Sequence, residues 1–211
     1  MTTISMKLTD LQGLALAMST EETRYFLNGI NLLREPGSDT VTATATDGHR
    51  LHSIRWIISP NGEGFNTIIP GHLVRAFLKV HKPPKKQDTL AINIYKIEGV
   101  NHIEMNAYVS IDKIALKSRE VDGSFPVVER ILPKEICETI GTKDGKVLNP
   151  SHVSDAVQFM AGSKPKMMFP IAWQTETSAV VVGHKARDLA DARDYVAGHT
   201  GRITLVMPMR G

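Results

Sequence analysis

Residues 3–18, TISMKLTDLQGLALAM, change from a hydrophobic period of two residues to one of about 3.6, as a strand followed by a helix does. Residues 3–7 predict a short strand, and Thr9 or Asp10 marks the start of the helix. The apolar face of that helix consists of Leu8, Leu11, Leu14, Ala15 and Met18. The chain therefore begins with a β-α pair whose helix covers one face of a sheet.

The same order of elements, a strand, a helix and three strands, is predicted three times along the chain. In the first unit the later strands are residues 25–33, 41–46 and 51–58. The second unit has a strand at 65–69, a helix at 70–82 that ends before two prolines, and strands at 90–97, 103–108 and 111–118. The third has a strand at 134–142, a helix at 149–161 and strands at 167–173, 179–183 and 203–209.

A β-α-β-β-β unit needs a second such unit to complete its core, because one helix covers only one face of a sheet. We therefore expect residues 1–133 to form one domain of two units, and residues 134–211 to hold a single unit without an obvious partner. Residues 122–126 and 131–133, rich in proline and small residues, predict the linker between them. The fold class is α+β, with mostly antiparallel sheets and helices on one face.

Composition favours a cytoplasmic protein without a cofactor. The net charge of +3 does not by itself indicate nucleic-acid binding. A single cysteine, Cys137, excludes an internal disulfide and multi-cysteine zinc modules. No apolar run reaches the roughly 20 residues of a membrane-spanning helix, and the first residues do not have the pattern of a signal peptide.

Four separated motifs resemble the bacterial DNA polymerase III beta subunit, the sliding clamp, and occur in the order of that family. They are ETRYFLNG at 22–29, ATDGHRL at 45–51, DGSFP at 122–126 with RILP at 130–133, and VMPMR at 206–210. The resemblance covers the middle domain of the family and the second half of its last domain. It implies a DNA-clamp-like fold of repeated β-α-β-β-β units. An insertion near residues 185–201, charged and predicted to form an extra helix, departs from the family.

The resemblance implies a groove that captures short linear peptides of polymerases and repair proteins. The residues that match it are Leu27, Thr46, Gly48, His49, Arg50, Leu51, Pro126, Arg130, Ile131, Leu205, Val206, Met207, Pro208, Met209 and Arg210. Unbranched, polarisable methionines suit partners of varied shape, and arginines can fix an extended peptide through carbonyl or acidic groups. Taken singly, the same residues also fit an ordinary core strand and hairpin turn.

The family also lines the bore of a ring with basic helices that contact DNA phosphates without reading bases, an interaction that depends on salt. The candidates here are Arg24, Tyr25, Arg75, Lys79, Lys82, Lys85, Lys86, Lys164 and Lys166. The alternative is that these cations are solvated side chains near helix C-termini. The first helix counts against a lined bore, because residues 9–22 hold no lysine or arginine.

Three functions remain open from the sequence: a processivity clamp, with possible self-association through the unpaired last unit, a decoy or regulator that binds clamp partners without encircling DNA, and a hydrolase or metal enzyme. The last would use Asp47 and His49, which share a face if they lie on one strand. No H-E-x-x-H, G-x-S-x-G or G-x-x-x-x-G-K motif supports it. We therefore predict a protein without catalytic activity.

Overall fold

A computed structural model describes residues 1–59, 63–81, 88–109, 112–134, 147–161, 171–173, 180–182 and 190–208. The first unit consists of β1 (Thr2–Lys7), α1 (Leu8–Ala15), β2 (Gly29–Arg34), β3 (Thr40–Thr46) and β4 (Arg50–Ile57). The second consists of β5 (Phe65–Pro70), α2 (Gly71–Val80), β6 (Thr89–Ile97), β7 (Val100–Val109) and β8 (Asp112–Arg119). Both predicted units are confirmed in their order of elements.

The two units exchange their first strands. β1 pairs antiparallel with β6, so the first sheet has the order β1-β6-β7-β8. β5 pairs antiparallel with β2 and begins the second sheet. Each sheet therefore contains one strand of the other unit, and the two units form one domain-like body.

The third unit extends the second sheet. It consists of α3 (Pro150–Ala161), β9 (Ile171–Trp173), β10 (Val180–Val182), α4 (Ala190–Val196) and β11 (Gly201–Val206). β11 pairs antiparallel with β4, which gives the order β5-β2-β3-β4-β11-β10-β9. The prediction of a third unit without an obvious partner was therefore incomplete, because its last strand continues the sheet of the first unit.

Three helices lie in a row on the inner face of the sheets, where α1 contacts α2 on one side and α3 on the other. The spacing of Leu73, Val74 and Phe77 buries one side of α2, as the sequence predicts. These side chains share a single core with α1, both sheets and the end of α3. Of the described helices, none combines the length and apolar character needed to cross a membrane.

Two predicted strands differ from the structure or lie outside it. Tyr25–Leu27 forms a short 3-10 helix, because the Leu27 and Asn28 amides donate to the carbonyls of Arg24 and Tyr25. Its large apolar residues resemble the beginning of a strand, but β2 begins only at Gly29. The strand predicted at 134–142 falls outside the described residues apart from its first residue.

Candidate functional site

The turn between β3 and β4 is held by side chains that bond to its own backbone. Asp47 Oδ1 accepts hydrogen bonds from the amides of His49 (2.8 Å) and Arg50 (2.9 Å). Thr46 Oγ1 donates to the Arg50 carbonyl at 2.7 Å and accepts from the Gly48 amide at 3.1 Å. Gly48 has a φ of 89°, which a residue with a Cβ rarely adopts. The turn therefore has a fixed shape.

This geometry corrects the idea that Asp47 and His49 share the face of one strand. They lie in the turn, and one carboxylate oxygen of Asp47 is occupied by backbone amides. Within the part of the chain that the structure describes, no three His, Cys, Asp or Glu side chains are grouped as metal ligands. The arrangement thus gives no support to a hydrolase or metal site at these residues.

The C-terminal strand runs beside this turn. Leu205 lies opposite Leu51, and Val206 lies opposite Arg50, in the antiparallel register of β4 and β11. The Met207 amide then donates to the His49 carbonyl at 2.8 Å. Two of the motifs that are far apart in sequence therefore lie side by side.

An apolar cluster on the outer face of the second sheet joins these strands to the linker. Leu51 and Leu205 are 2% and 1% exposed, and Val128 of a 3-10 helix (Val128–Arg130) packs with them. Phe125 and Leu132 lie against the same cluster. We call these five residues the slot. The linker thus lies against the C-terminal strand, as the groove prediction requires.

Three exposed apolar residues belong to the same linker and strand. Val127 is 54% exposed, Ile131 is 53% exposed and Met207 is 37% exposed. Pro126 and Arg130 are also exposed. We call Val127, Ile131 and Met207 the rim. Val127 and Ile131 adjoin slot residues in the chain, and Met207 follows β11 two residues after Leu205.

The floor of the slot is already covered by the chain. Ala192, Tyr195 and Val196 of α4 pack into the cluster that contains Leu51 and Leu205. The Tyr195 hydroxyl lies 2.6 Å from Ser53 Oγ on β4, and burial raises the pKa of this phenol. The expectation of a slot open to a ligand is therefore wrong for its floor, and docking at the rim stays a prediction.

Arg55 holds α4 in this position. Its guanidinium lies 4.4 Å from the centre of the Tyr195 ring, and its Nη1 donates to the Tyr195 carbonyl at 3.0 Å. Sequence analysis missed Tyr195 and Arg55. The spacing of Ala192, Tyr195 and Val196 was the available signal, since i, i+3 and i+4 share one helical face.

Arg50 pairs with carboxylates of the chain itself, and its predicted contact with a peptide stays a prediction. Its guanidinium pairs with Asp47 at 3.1 Å and with Asp155 of α3. The neighbouring His152 ring stacks on His49 with centroids 6.1 Å apart, and burial, followed by the charge of Arg50, lowers the pKa of His152. Arg50 therefore ties the turn to α3, whereas Arg130 remains exposed.

A second group of polar contacts joins the third unit to α1. Arg202 of β11 pairs with the buried Asp10 and donates to the Phe159 carbonyl at 3.1 Å. Burial raises the pKa of Asp10 even though Arg202 lowers it. His52 lies between the same helices, with Nδ1 2.8 Å from the Gly13 carbonyl and its ring stacked on Phe159 at 4.6 Å. These contacts fix α3 and β11, and with them the floor of the slot.

The remaining predicted groove residues divide into three groups. Leu27 is buried in the 3-10 helix, and Thr46 is buried at the turn, where its hydroxyl donates to the Arg50 carbonyl. Val206 packs on the inner face with Ala156 and Val182, because neighbouring residues of a strand point to opposite faces. Val206 therefore does not lie in the cluster of Leu51 and Leu205, and its role in the groove stays a prediction. Pro208 lies at the end of the last described segment, and Met209 and Arg210 lie outside it.

Few of the predicted DNA contacts fall on described residues. Arg75 of α2 is exposed and donates to Asn28 Oδ1 at 2.8 Å, and Lys79 is exposed in the last turn of the same helix. Arg24 pairs with Glu21 at 2.7 Å, and Tyr25 is exposed. The others, Lys82, Lys85, Lys86, Lys164 and Lys166, lie outside the described residues.

Comparisons with known proteins agree with this architecture. The sequence model described as DNA polymerase III beta subunit, central domain, matches residues 6–127. The chain belongs to the DNA polymerase III beta subunit family. The beta sliding clamp of Caulobacter vibrioides is 34% identical over 128 residues, which are 56% of this chain and 30% of that protein. That of Vibrio cholerae is 28% identical over 143 residues, 66% of this chain and 36% of that protein.

Solved structures of the family extend the likeness to the third unit. The beta subunit of DNA polymerase from Streptococcus pyogenes has a TM-score of 0.69 at 15% identity, over 100% of this chain and 66% of that one. The DNA polymerase III beta chain of Streptococcus pneumoniae has a TM-score of 0.66 at 16% identity, over 100% and 65%. The α+β clamp fold predicted from the sequence is thereby confirmed. The matches span about a third of the curated relatives named here, 30% and 36%.

Proposed function

We propose that this chain is a sliding-clamp-like accessory protein of DNA replication and repair, without catalytic activity, which docks short peptide motifs of polymerases and repair proteins. The observation that carries the proposal is the position of the chain after β11. After β11 the chain leaves the second sheet beside the turn of residues 47–49, where the Met207 amide donates to the His49 carbonyl. Membership of the beta subunit family supports the same role.

The exposed rim has the chemistry that a short extended peptide requires. Val127, Ile131 and Met207 offer apolar contact, and methionine adapts to side chains of different shape. Arg130 is exposed next to Ile131 and can donate to peptide carbonyls or an acidic side chain. The turn of residues 47–49 gives this surface a fixed edge.

Association with duplex DNA is the second part of the proposal, and a decoy or regulator that does not encircle DNA is its alternative. Arg75 and Lys79 place two cations on α2. However, α1 is the middle helix of the row, and residues 9–22 contain no lysine or arginine. The absence of basic residues on α1 favours weak contact with DNA, and it is the observation that supports the alternative function of a decoy or regulator.

Self-association through the last unit is also proposed. In the first two units, β2 and β6 each receive an exchanged strand, β5 and β1 respectively. Among the described residues, β9 is at the edge of its sheet and receives no such strand. An edge of this kind offers unpaired backbone groups to another strand, which a second copy can supply.

Peptide titration tests the docking function. A short fluorescein-labelled peptide with a leucine and a phenylalanine anchor should bind saturably, and Met207→Ala should weaken binding about fivefold, equivalent to about 1 kcal/mol. Arg130→Ala should weaken it by a similar factor through the lost charge. Fluorescence anisotropy measures both.

The matched controls lie on the other sheet. Ile97→Ala removes an exposed apolar side chain of β6, and Lys117→Ala removes an exposed cation of β8. Both should bind the peptide as the unmodified chain does. Docking at this surface is refuted if no saturable binding occurs at about millimolar protein, where a complex is worth only about 4 kcal/mol.

A further inference from the structure

The helix α4 is held over the slot by one face, among its described side chains. Of the side chains described from residue 192 onward, Ala192 and Tyr195 are buried and Val196 is partly buried, whereas residues 193, 194 and 197–200 are exposed. A helix of seven residues is too short to be stable by itself in water. Its place on the sheet therefore depends on Tyr195 and its neighbours.

Tyr195 makes the kind of contacts that an aromatic anchor makes in a binding pocket. Its ring packs with Leu51 and Leu205 in one cluster, its hydroxyl pairs with Ser53, and the Arg55 guanidinium covers its face. Tyr195 is 2% exposed. A docking peptide that is to pack on Leu51 and Leu205 competes with this side chain, because the three residues lie in one buried cluster.

We propose that α4 competes with peptides for the floor of the slot. The side chain of Tyr195 occupies this floor, so an aromatic anchor of a peptide binds there only when Tyr195 leaves. The inference rests on the proposed docking function and adds its regulation. Peptides that use the rim alone bind with α4 in place. Peptides with a large aromatic anchor shift the chain toward a form with α4 released.

The requirement that α4 be released weakens the apparent affinity for an aromatic peptide, because the apparent Kd equals the intrinsic Kd divided by the fraction of molecules in which the slot is open. Short segments with few buried contacts open most readily in native proteins. The slot therefore selects against weak aromatic ligands. Removal of Tyr195 abolishes this selection.

The test combines two variants with the same labelled peptide carrying leucine and phenylalanine. Tyr195→Ala should bind it about tenfold more tightly than the unmodified chain, because the competitor is gone. Tyr195→Phe keeps the ring but loses the bond to Ser53, and its affinity should lie between the two. Circular dichroism and thermal melting establish that each variant is folded.

Hydrogen exchange on the unmodified chain provides a readout that needs no substitution. The amides of Ala197, Gly198 and His199 donate to carbonyls of α4 and should exchange faster when the peptide is bound. The amide of Val153, which donates to the Asn149 carbonyl in α3, serves as the control and should not change.

The outcomes separate the inference from the function on which it rests. Equal affinities of unmodified chain and Tyr195→Ala, with unchanged exchange, overturn the competitor and leave docking intact. Absence of saturable binding in all three proteins overturns docking and the competitor together. If Tyr195→Ala does not fold, faster exchange at residues 197–199 supports the competitor, and slower or unchanged exchange overturns it.

Discussion

His52 shows how one buried side chain joins the third unit to the first. Its Nδ1 lies against the Gly13 carbonyl, so the neutral ring carries its proton there. Nε2 is buried and has no hydrogen-bond partner among the residues that the structure describes, and Phe159 of α3 covers the ring. Protonation of Nε2 would place a charge in this apolar contact, and burial accordingly lowers the pKa of His52 to about 4.

This pKa predicts acid lability. Between pH 6.5 and about 4 the unfolded chain holds a proton on His52 and the folded chain does not, so the free energy of unfolding falls as the pH falls. The loss from this group should approach about 3 kcal/mol and then stop below pH 4. Urea unfolding at a series of pH values measures it.

His52→Asn is the matched variant, because the asparagine amide can still donate to the Gly13 carbonyl but does not titrate. Its free energy of unfolding should be lower at pH 7, since the stack on Phe159 is lost. It should also lack the share of acid destabilisation that His52 causes. Identical pH profiles for the two proteins would contradict the assignment.

At the scale of elements, Gly13 sets how closely α1 and α3 approach. A Cβ at this position would lie 2.6 Å from Phe159 Cδ2 and 3.3 Å from Phe159 Cα. The ring cannot simply move aside, because it is stacked on His52. Only a residue without a Cβ allows this contact.

Gly13→Ala should lower the free energy of unfolding by about 1–3 kcal/mol, because overpacking outweighs the gain of about 1 kcal/mol in helix propensity. Chemical denaturation measures the difference. Gln12→Ala, at an exposed position of the same helix, should change stability little. Phe159→Leu combined with Gly13→Ala should recover part of the loss, and strictly additive effects would argue against the clash.

Elements were easier to predict than their arrangement. The periodicity of residues 65–80 gave β5 and α2 within a few residues, because one face of each is buried in a local, regular pattern. The pairing of β4 with β11 joins Leu51 and Leu205 across more than half of the chain, and local periodicity carries no information on such a register. The prediction of a strand at Tyr25–Leu27 was wrong, because apolar content alone does not distinguish a strand from a 3-10 helix.

For the candidate site, too, the local residues were easier to predict than their long-range contacts. The resemblance brought Leu51, Leu205 and the linker to one surface, and the structure does place them together. It also assigned Val206 and Arg50 to the groove, and these two assignments stay predictions. Strand alternation turns Val206 inward, and Asp155, more than a hundred residues away, neutralises Arg50. The helix α4, which covers Leu51 and Leu205, lies in a segment that matches none of the family motifs.

For the whole molecule, the distribution of charge predicts weak, salt-sensitive contact with duplex DNA. Arg75→Ala with Lys79→Ala should reduce the slope of log K against log salt by about one to two, since each lost phosphate contact removes about 0.9. Anisotropy of a labelled duplex over a range of salt concentrations measures the slope.

Lys117→Ala provides the comparison, because Lys117 lies on β8 and pairs with Glu104 on the neighbouring strand. Its salt slope should match that of the unmodified chain. A slope near zero for the unmodified chain would exclude phosphate contacts and favour the decoy.

The swap of β1 and β5 between the first two units also affects how the protein can be divided. A cut between β4 and β5 would leave each fragment without the strand that completes its own sheet, and each would carry the strand that the other lacks. Each fragment therefore needs the other to complete its sheet. We therefore expect that neither fragment can be transferred to another protein as an independently folding unit.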